Sequence, residues 1–171
     1  AHQLADHMLA LPTHSGAALH RPQHPDYHDY LYVDCMEVDG PFLCKLAAVT
    51  DNSTLFDAGA AQVLAYARLL QDDDTGLFYH QYNQSTKAVN GAFWGRGNGW
   101  ALLGLLKTLM LLPTTHSDYS ETRQRFEYLA NALIGLQAAS GGWHTVLDRP
   151  DSYEETSLPA MFGYGLLKAF K

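Results

Sequence analysis

The chain has 171 residues, 47% of them hydrophobic and 17% charged, a composition typical of one globular domain and not of a disordered chain. Its formal net charge of −7, with no cluster of lysine and arginine, argues against nucleic acid as a partner. No apolar run has the length needed to span a membrane, and the first residues lack a signal-peptide pattern, so no membrane partner is predicted.

The first third of the chain is predicted to contain a short helix, a loop and a longer helix. Residues 1–11 place Leu4, Met8 and Leu11 on one stripe, and Pro12 should end that helix. Residues 13–29 are rich in histidine and proline and indicate a loop. Residues 30–49 are apolar and should be helical from about Asp34, with Gly40-Pro41 expected to kink or break the helix.

The middle third begins with a capped helix. Asn52 or Ser53 should cap a helix that runs to about Leu70, because apolar residues recur there at helical spacing. Residues 72–76 have the composition of a turn, and residues 77–82 alternate as a short extended segment does, with Phe78, His80 and Tyr82 on one side.

Three further helices are predicted. The first covers residues 98–112 and ends at Pro113. The second opens at Ser117 or Ser120 and runs to about residue 139, and the last covers residues 154–170. Residues 141–146 should form a glycine turn followed by a short extended run.

A weak internal repeat indicates the architecture. Gly76-Leu77-Phe78-Tyr79-His80 corresponds to Gly142-Trp143-His144-Thr145, 66 residues later, and each follows a long helix. One helix pair per repeat is typical of a helical solenoid or closed toroid. We therefore predict a single all-α domain over residues 1–171, with the glycine-aromatic loops converging on one rim.

The run Phe93-Trp94-Gly95-Arg96-Gly97-Asn98-Gly99-Trp100 is the strongest candidate for a binding site. Its glycines permit positive φ and close approach of a ligand, and the positive end of the following helix favours an anion. A guanidinium and two indole faces suit an acidic sugar. The alternative is a helix entry packed by two core tryptophans, with Arg96 in an internal salt bridge.

Four motifs in order resemble the unsaturated rhamnogalacturonyl hydrolases of glycoside hydrolase family 105, to which the unsaturated glucuronyl hydrolases of family 88 are related. The resemblance extends from about Tyr30 to the last residue. It rests on residues 75–80 (TGLFYH), 94–100 (WGRGNGW), 142–148 (GWHTVLD) and 153–157 (YEETS). It implies a barrel of six helical hairpins and removal of a 4,5-unsaturated uronic acid from the non-reducing end of lyase-generated oligosaccharides, with pectin fragments favoured.

The resemblance also implies roles for individual residues. Asp34 matches the general acid/base of the family, and Tyr32 stands where the family has an aromatic residue, usually tryptophan. His80, Arg96 and Trp100 match residues of the family's sugar site: Arg96 and His80 would pair with the sugar carboxylate, and Trp100 would stack on the ring. Trp94 and Trp143 are further candidates for stacking on the ring, with packing roles as the alternative for both.

The chemistry implied for Asp34 is protonation of a double bond, so Asp34 should be protonated near neutral pH. That requires a pKa raised by burial or by another carboxylate nearby, and the apolar neighbours Tyr32, Val33, Cys35 and Met36 favour burial. A lone aspartate at the start of a helix is, without that context, more often an N-cap. His80 without its context would more often be a partly buried structural histidine.

No metal and no cofactor are expected. The run His24-Pro25-Asp26-Tyr27-His28-Asp29 has ligand-type side chains, but nothing elsewhere completes a coordination sphere, so we interpret it as a polar loop. Asp72, Asp73 and Asp74 form an acidic turn without the glutamate that a calcium loop needs.

The two cysteines give weak evidence on the compartment. Cys35 and Cys44 would be about 13 Å apart along one straight helix, too far for a disulfide. Free thiols slightly favour the cytoplasm over secretion, and the compartment stays open.

The length is short for the implied barrel. Twelve helices of about 12 residues with their connections need more than about 200 residues, and this chain has room for about six. A fragment, assembly of several copies, or loss of part of the fold are the alternatives. Exposed apolar faces on the first and last helices would favour self-association. The second candidate function is therefore a catalytically incomplete helical domain that binds acidic oligosaccharides or packs against another subunit.

Overall fold

The computed structural model describes residues 1–169, which form six helices and two small antiparallel sheets. The first sheet pairs β1 (Thr13–His14) with β2 (Ala17–Ala18), and the second has the order β3 (Tyr30–Tyr32), β4 (Gln81–Asn83), β5 (Ala88–Val89). The predominantly helical class predicted from the sequence is confirmed. The helices are α1 (His2–Leu9), α2 (Cys35–Thr50), α3 (Ser53–Leu70), α4 (Gly95–Leu111), α5 (Tyr119–Gly135) and α6 (Ser157–Ala169).

Helix α4 occupies the centre of the molecule and packs against α2, α3, α5 and α6. It is apolar on almost every side, as expected of a helix with neighbours all round. Leu102, Leu105 and Leu106 are buried in the main core, together with Tyr66 of α3 and Phe162 of α6.

Helix α1 packs onto α2 and α3 through a smaller core. Ala5 is its buried residue, and it contacts a cluster made of Leu43, Leu46, Ala47 and Leu55. Leu4 is exposed and the helix ends before Leu11, so the predicted apolar stripe of α1 is wrong apart from its partly buried Met8.

Helix α3 begins and ends as predicted. The Asn52 carboxamide oxygen accepts hydrogen bonds from the Thr54 backbone N–H at 3.2 Å and from the Thr54 hydroxyl at 2.7 Å. This is N-capping, which satisfies a backbone donor that has no partner within the helix.

Helix α2 continues through Pro41, so the predicted break at Gly40-Pro41 does not occur. Tight packing against α3 explains the glycine: a Cβ at Gly40 would lie 2.1 Å from Val63 Cγ2. Gly59 of α3 is similarly confined, because a Cβ there would lie 2.7 Å from the Cys44 sulfur. Close contact between the two backbones thus stabilises a helix that contains a proline. Cys35 and Cys44 lie in this one helix and are both free.

The glycines of the 93–100 run are helical, and the expectation of positive φ there is wrong. Helix α4 begins at Gly95, three residues earlier than predicted, and the positive-φ glycines are Gly16, Gly76, Gly91 and Gly141. The reason for glycine is close packing of side chains from other elements. A Cβ at position 95, 97 or 99 would lie within 3 Å of Leu158, Val33 or Met161, respectively.

The internal repeat is visible as two similar turns. Gln71 and Gln137, 66 residues apart, each donate a side-chain N–H to a glycine carbonyl, Gly76 at 3.0 Å and Gly141 at 2.9 Å. Both glycines have positive φ, +78° and +86°. The counterpart of Gly76 is therefore Gly141, one residue before the predicted one.

The last two helices are shorter than predicted. Helix α5 ends at Gly135, not near residue 139, and α6 begins at Ser157, after residues 153–156 have run along the 143–147 segment. The predicted end of α6 at Phe170 lies outside the described residues. None of the helices within residues 1–169 combines the length and the hydropathy that crossing a membrane requires.

Replacing Gly104 by alanine should destabilise the fold. The new Cβ would lie 2.4 Å from the Met36 carbonyl oxygen, which is backbone and cannot rotate away. We expect the free energy of unfolding to fall by about 1–3 kcal/mol in urea denaturation. Gly163→Ala is the control, because its Cβ meets nothing within 4 Å and the helix should gain about 0.5–1 kcal/mol. Equal stability of the two variants would contradict this explanation.

Candidate active site

A pocket of about 340 Å³ opens between the segment that precedes α2, the start of α2 itself and the segment before β4. Its volume is within the range of small-molecule sites. Three of the residues selected from the sequence line it: Tyr32, Asp34 and His80. The other lining residues are Ala18, His20, Arg21, Tyr27, Tyr30, Cys35 and Tyr66.

Asp34 occupies the N-cap position of α2 but makes no capping hydrogen bond with its side chain. Its Oδ2 lies 3.5 Å from His80 Nε2, is covered from solvent and has no hydrogen-bond partner. A covered oxygen without a partner is unfavourable unless a ligand or a proton satisfies it. The carboxyl group of Asp34 is therefore free for a function other than capping.

The predicted burial of Asp34 is wrong. Its side chain is 42% exposed and faces the pocket. Of the apolar neighbours on which the prediction rested, Val33 and Met36 are fully buried and belong to the main core instead.

Backbone pairing places His80 beside Asp34. Strand β4 pairs with β3, with Gln81 opposite Tyr32, and the Val33 N–H donates to the His80 carbonyl at 3.0 Å. The imidazole packs against Tyr32, with ring centroids 5.5 Å apart. His80 is therefore held at the pocket wall by the sheet.

Asn98 connects helix α4 to the segment that carries His80. Its carboxamide accepts from the Phe78 N–H at 2.7 Å and donates to the Phe78 carbonyl at 3.0 Å. It also donates to the Trp94 carbonyl at 3.0 Å, and it is fully buried. Asn98 is thus a structural residue of the WGRGNGW motif, and it sets the position of His80 two residues further along.

Trp94 and Arg96 extend the site from His80. The Trp94 ring meets the His80 ring edge-on at 4.8 Å, and the Arg96 guanidinium lies over Trp94 at 4.4 Å. A continuous line of contacts therefore runs from Asp34 through His80 and Trp94 to Arg96, on one rim of the molecule.

Arg96 also donates from Nη1 to Glu155 Oε1, which is the internal salt bridge of the alternative interpretation. The other half of that alternative is wrong, because Trp94 and Trp100 are half-buried and not core residues. The Arg96 side chain remains 41% exposed, so the salt bridge orients the guanidinium without enclosing it.

Glu155 was not predicted as a site residue, although its motif was part of the family resemblance. Its carboxylate also accepts from the Ser157 hydroxyl at 2.6 Å and the Thr145 hydroxyl at 2.8 Å. Burial opposes ionisation of Glu155, but the hydrogen bonds from Ser157, Arg96 and Thr145 outweigh it and lower the pKa below its ordinary value.

The two remaining tryptophan candidates differ. Trp100 is half-buried and lies one helical turn after Arg96, on the same face of α4. Trp143 is only 4% exposed; its N–H donates to the Leu133 carbonyl at 2.7 Å and its ring packs edge-on against Phe162. Trp143 is therefore a core residue, and the expectation that it stacks on a sugar is wrong.

Sequence reasoning missed the wall of the pocket formed by His20, Arg21, Tyr27 and Tyr30. His20, Arg21 and Tyr27 belong to the segment predicted to be a loop, and Tyr30 follows it directly. The available signal was the density of aromatic and basic residues just before Asp34. Tyr66 of α3 also lines the pocket; it is fully buried, and its hydroxyl donates to the Ala18 carbonyl at 2.6 Å.

Within residues 1–169, no three histidine, cysteine, aspartate or glutamate side chains are grouped so that they could hold a metal ion. The side chains of the 24–29 run hydrogen-bond within the run itself, as His28 Nδ1 does with the Pro25 carbonyl at 2.9 Å.

Helical hairpins whose connecting segments carry a carboxyl group and aromatic rings around one pocket suit the class of carbohydrate-active enzymes. The sequence model of Glycosyl Hydrolase Family 88 matches residues 1–171, and the chain belongs to this family. The unsaturated rhamnogalacturonyl hydrolase YesR of Bacillus subtilis (strain 168) is 34% identical over 146 residues, which are 85% of this chain and 42% of YesR.

Solved structures have the same fold. A family 105 glycoside hydrolase from C. acetobutylicum ATCC 824 superposes with a TM-score of 0.88. Its sequence is 28% identical, and the match covers 98% of this chain and 49% of that chain. A possible family 105 member from Salmonella enterica gives 0.89 at 29% identity, over 98% and 46%. The chain thus spans about half the length of these relatives, and the predicted partial (α/α)6-barrel type is confirmed.

Asn98→Asp should destabilise the protein strongly. The substitution replaces a buried N–H donor by a carboxylate oxygen that faces the Phe78 and Trp94 carbonyls. We expect a loss of about 2–4 kcal/mol in chemical denaturation. Asn90→Asp is the control: the exposed Asn90 accepts from the Gln81 N–H through an oxygen that aspartate retains, so its effect should be near zero. An Asn98→Asp protein as stable as the control would show that this tie is dispensable.

Glu155→Gln should make stability less dependent on acid pH. Because the pKa of Glu155 is lower folded than its ordinary 4.5, its ionised form stabilises the fold above that pH, and this contribution disappears as pH falls through the lowered value. At neutral pH the variant should lose about 1–2 kcal/mol. The melting temperatures of the variant and of the unchanged chain should therefore converge as the pH is lowered from neutral to acid.

Glu127→Gln, which removes the exposed ion pair with Arg123 on α5, should change little at any pH. A difference in melting temperature between Glu155→Gln and the unchanged chain that stays constant down to acid pH would contradict the lowered pKa of Glu155.

Proposed function

We propose that the protein removes a 4,5-unsaturated uronic acid from the non-reducing end of oligosaccharides made by polysaccharide lyases, and that pectin-derived rhamnogalacturonan fragments are its substrate class. The observation that carries the proposal is the Asp34 carboxyl group, which caps no helix and faces a pocket beside His80. Family membership and the similarity to a protein named unsaturated rhamnogalacturonyl hydrolase support the reaction and the substrate.

The proposed reaction is hydration of the double bond. The substrate is an enol ether whose C4=C5 bond is conjugated to the C6 carboxylate, so a single acid/base group suffices. Protonated Asp34 donates its proton to C4, and positive charge develops at C5 and the ring oxygen. The resulting Asp34 carboxylate accepts a proton from the water that attacks C5. The hemiketal formed then opens and releases the remaining sugar.

Contacts around Asp34 suit this exchange of protons. His80 lies within 3.5 Å of Oδ2 and can accept or donate a hydrogen bond as Asp34 changes its protonation state. Tyr32 packs on His80 and limits the orientation of the imidazole. We assign His80 to holding the acid and contacting the bound sugar, and Tyr32 to the pocket wall.

Trp94, Arg96 and Trp100 would hold the rest of the unsaturated sugar. The Arg96 guanidinium lies over the Trp94 ring, and one of its N–H groups is used by Glu155, which leaves others for a ligand. An indole face and exposed N–H groups on one rim can contact a sugar ring and its oxygens.

The second candidate is a helical domain that binds acidic oligosaccharides without cleaving them, or that packs against another subunit. Large apolar side chains exposed on α1 and α6 support it: Leu4 and Leu9 on the first helix, and Tyr164 and Leu167 on the last. Self-association through these faces stays a prediction.

Asp34→Asn separates the two candidates. The substrate is an unsaturated galacturonyl-rhamnose disaccharide prepared with a lyase, and turnover is the loss of its ultraviolet absorbance. We expect the variant to lose at least about 100-fold in turnover, because amide nitrogen cannot deliver the proton, while disaccharide affinity measured by calorimetry stays nearly unchanged. Asp26→Asn, an exposed loop residue, is the control and should retain full activity.

Retention of activity by Asp34→Asn would remove Asp34 from the mechanism. An unchanged chain that binds the disaccharide without consuming it would favour the binding domain over the hydrolase.

A further inference from the structure

A buried carboxylate lies behind one wall of the pocket. Asp39, on the second turn of α2, is 1% exposed, and its Oδ2 lies 2.8 Å from His20 Nε2. His20 in turn lines the pocket with Asp34, and its side chain is 31% exposed. The pair therefore connects the interior of the helical layer to the surface that a ligand would touch.

We propose that Asp39 is a positioning residue that holds His20 as a permanent cation on the pocket wall, and that this cation receives the carboxylate of a uronic acid. The choice of a uronic acid rests on the proposed function. The pairing of His20 with Asp39 does not.

Burial of Asp39 requires a positive partner. An ionised carboxylate removed from water is strongly unfavourable unless a cation is bound to it. Its second oxygen, Oδ1, is covered and has no hydrogen-bond partner among residues 1–169, so His20 provides the compensation. The hydrogen bond with Asp39, followed by one with Cys35, outweighs burial and raises the pKa of His20 to about 10.

The neighbours of His20 leave its charge available to a ligand. Helix α2 contributes Asp39 and Cys35, and α3 contributes Tyr66, whose burial raises its pKa so that it stays neutral. The remaining titratable groups of the pocket are Arg21, Tyr27, Tyr30, Tyr32, Asp34 and His80. Of the other cations, Arg21 is exposed and lies 5.0 Å from the Tyr27 ring, and His80 adjoins Asp34.

Substrate geometry favours His20 over Arg96 as the group that receives the carboxylate. In a 4,5-unsaturated uronate the carboxylate is attached to C5, the neighbour of the C4 atom that Asp34 would protonate. The receiving cation must therefore share one small pocket with Asp34. His20 lines that pocket, whereas Arg96 reaches it through Trp94 and His80 and is already paired with Glu155.

The first measurement is the titration of His20 by NMR of its imidazole in the full chain. In the unchanged protein we expect it to stay protonated well past neutral pH, and in Asp39→Asn to titrate near 6.5, the ordinary value for histidine. Asp57→Asn is the control, because Asp57 contacts His116 at 3.0 Å, away from the pocket, and is itself exposed.

The second measurement is binding of D-galacturonate and of its uncharged methyl ester, by calorimetry. At about pH 8, Asp39→Asn should bind galacturonate about tenfold more weakly than the unchanged chain, since a charge-assisted hydrogen bond is lost. Near about pH 5.5, where a free histidine is protonated, the affinity should recover. His20→Gln should be weak at both pH values, and Asp57→Asn should behave as the unchanged chain.

The methyl ester distinguishes recognition of the ligand carboxylate by His20 from a purely structural role of His20 and Asp39. Its affinity should be low and equal in all variants, because it has no charge for His20 to bind. Should Asp39→Asn fail to fold, the shift of the His20 imidazole signal on adding galacturonate to the unchanged chain, absent with the ester, remains as the readout.

Two results would overturn the proposal: His20 titrating near its ordinary pKa in the unchanged chain, or galacturonate binding that is absent or independent of His20 and Asp39. Failure of the proposed hydrolase function is a different result. In that case the unsaturated disaccharide is not consumed, while galacturonate binding still depends on His20 and on pH.

Discussion

The tie between the Asn98 carboxamide and the Phe78 backbone is the constraint on which the arrangement of the site depends. It joins helix α4, which carries Trp94 and Arg96, to the extended segment that carries His80. The same segment then pairs with the strand before Asp34. Because Asn98 is fully buried and uses both ends of its amide, only that amide fits there without leaving a backbone group unpaired. The segments that carry Asp34 and His80 thus meet at the pocket, and the segment that carries Trp94 and Arg96 lies beside them.

Small residues allow that meeting. Glycine is unfavourable within helices, and the start of α4 contains three of them. Each lies against a side chain of another element, including Val33 next to Asp34, so larger residues would push α4 away from the strand. Loss of helix propensity is therefore offset by close packing, and the packing brings the Trp94–Arg96 pair to the rim where Asp34 lies. The glycines of the 93–100 run suggest positive φ, but they form the start of a helix.

Basic and acidic side chains are paired in the pocket and beside it. Glu155 pairs with Arg96, Asp39 pairs with His20, and Asp34 adjoins His80. The chain as a whole carries a formal charge of −7, which repels an acidic sugar at long range. A cationic side chain that stays partly exposed, as Arg96 does, gives such a ligand a local attraction despite this net charge.

The sequence by itself determined the helices, the turns and the family. Helical periodicity and the cap at Asn52 were sufficient for α3, and the ordered motifs pointed to the family and to Asp34, His80 and Arg96, because these signals are local in the chain. Tertiary structure decided the rest. Helix α2 continues through Pro41, the motif glycines are helical, Trp143 is a core residue, and Glu155 and Asp39 pair with Arg96 and His20. Burial and pairing depend on which distant segments come into contact, and a single sequence contains no direct record of those contacts.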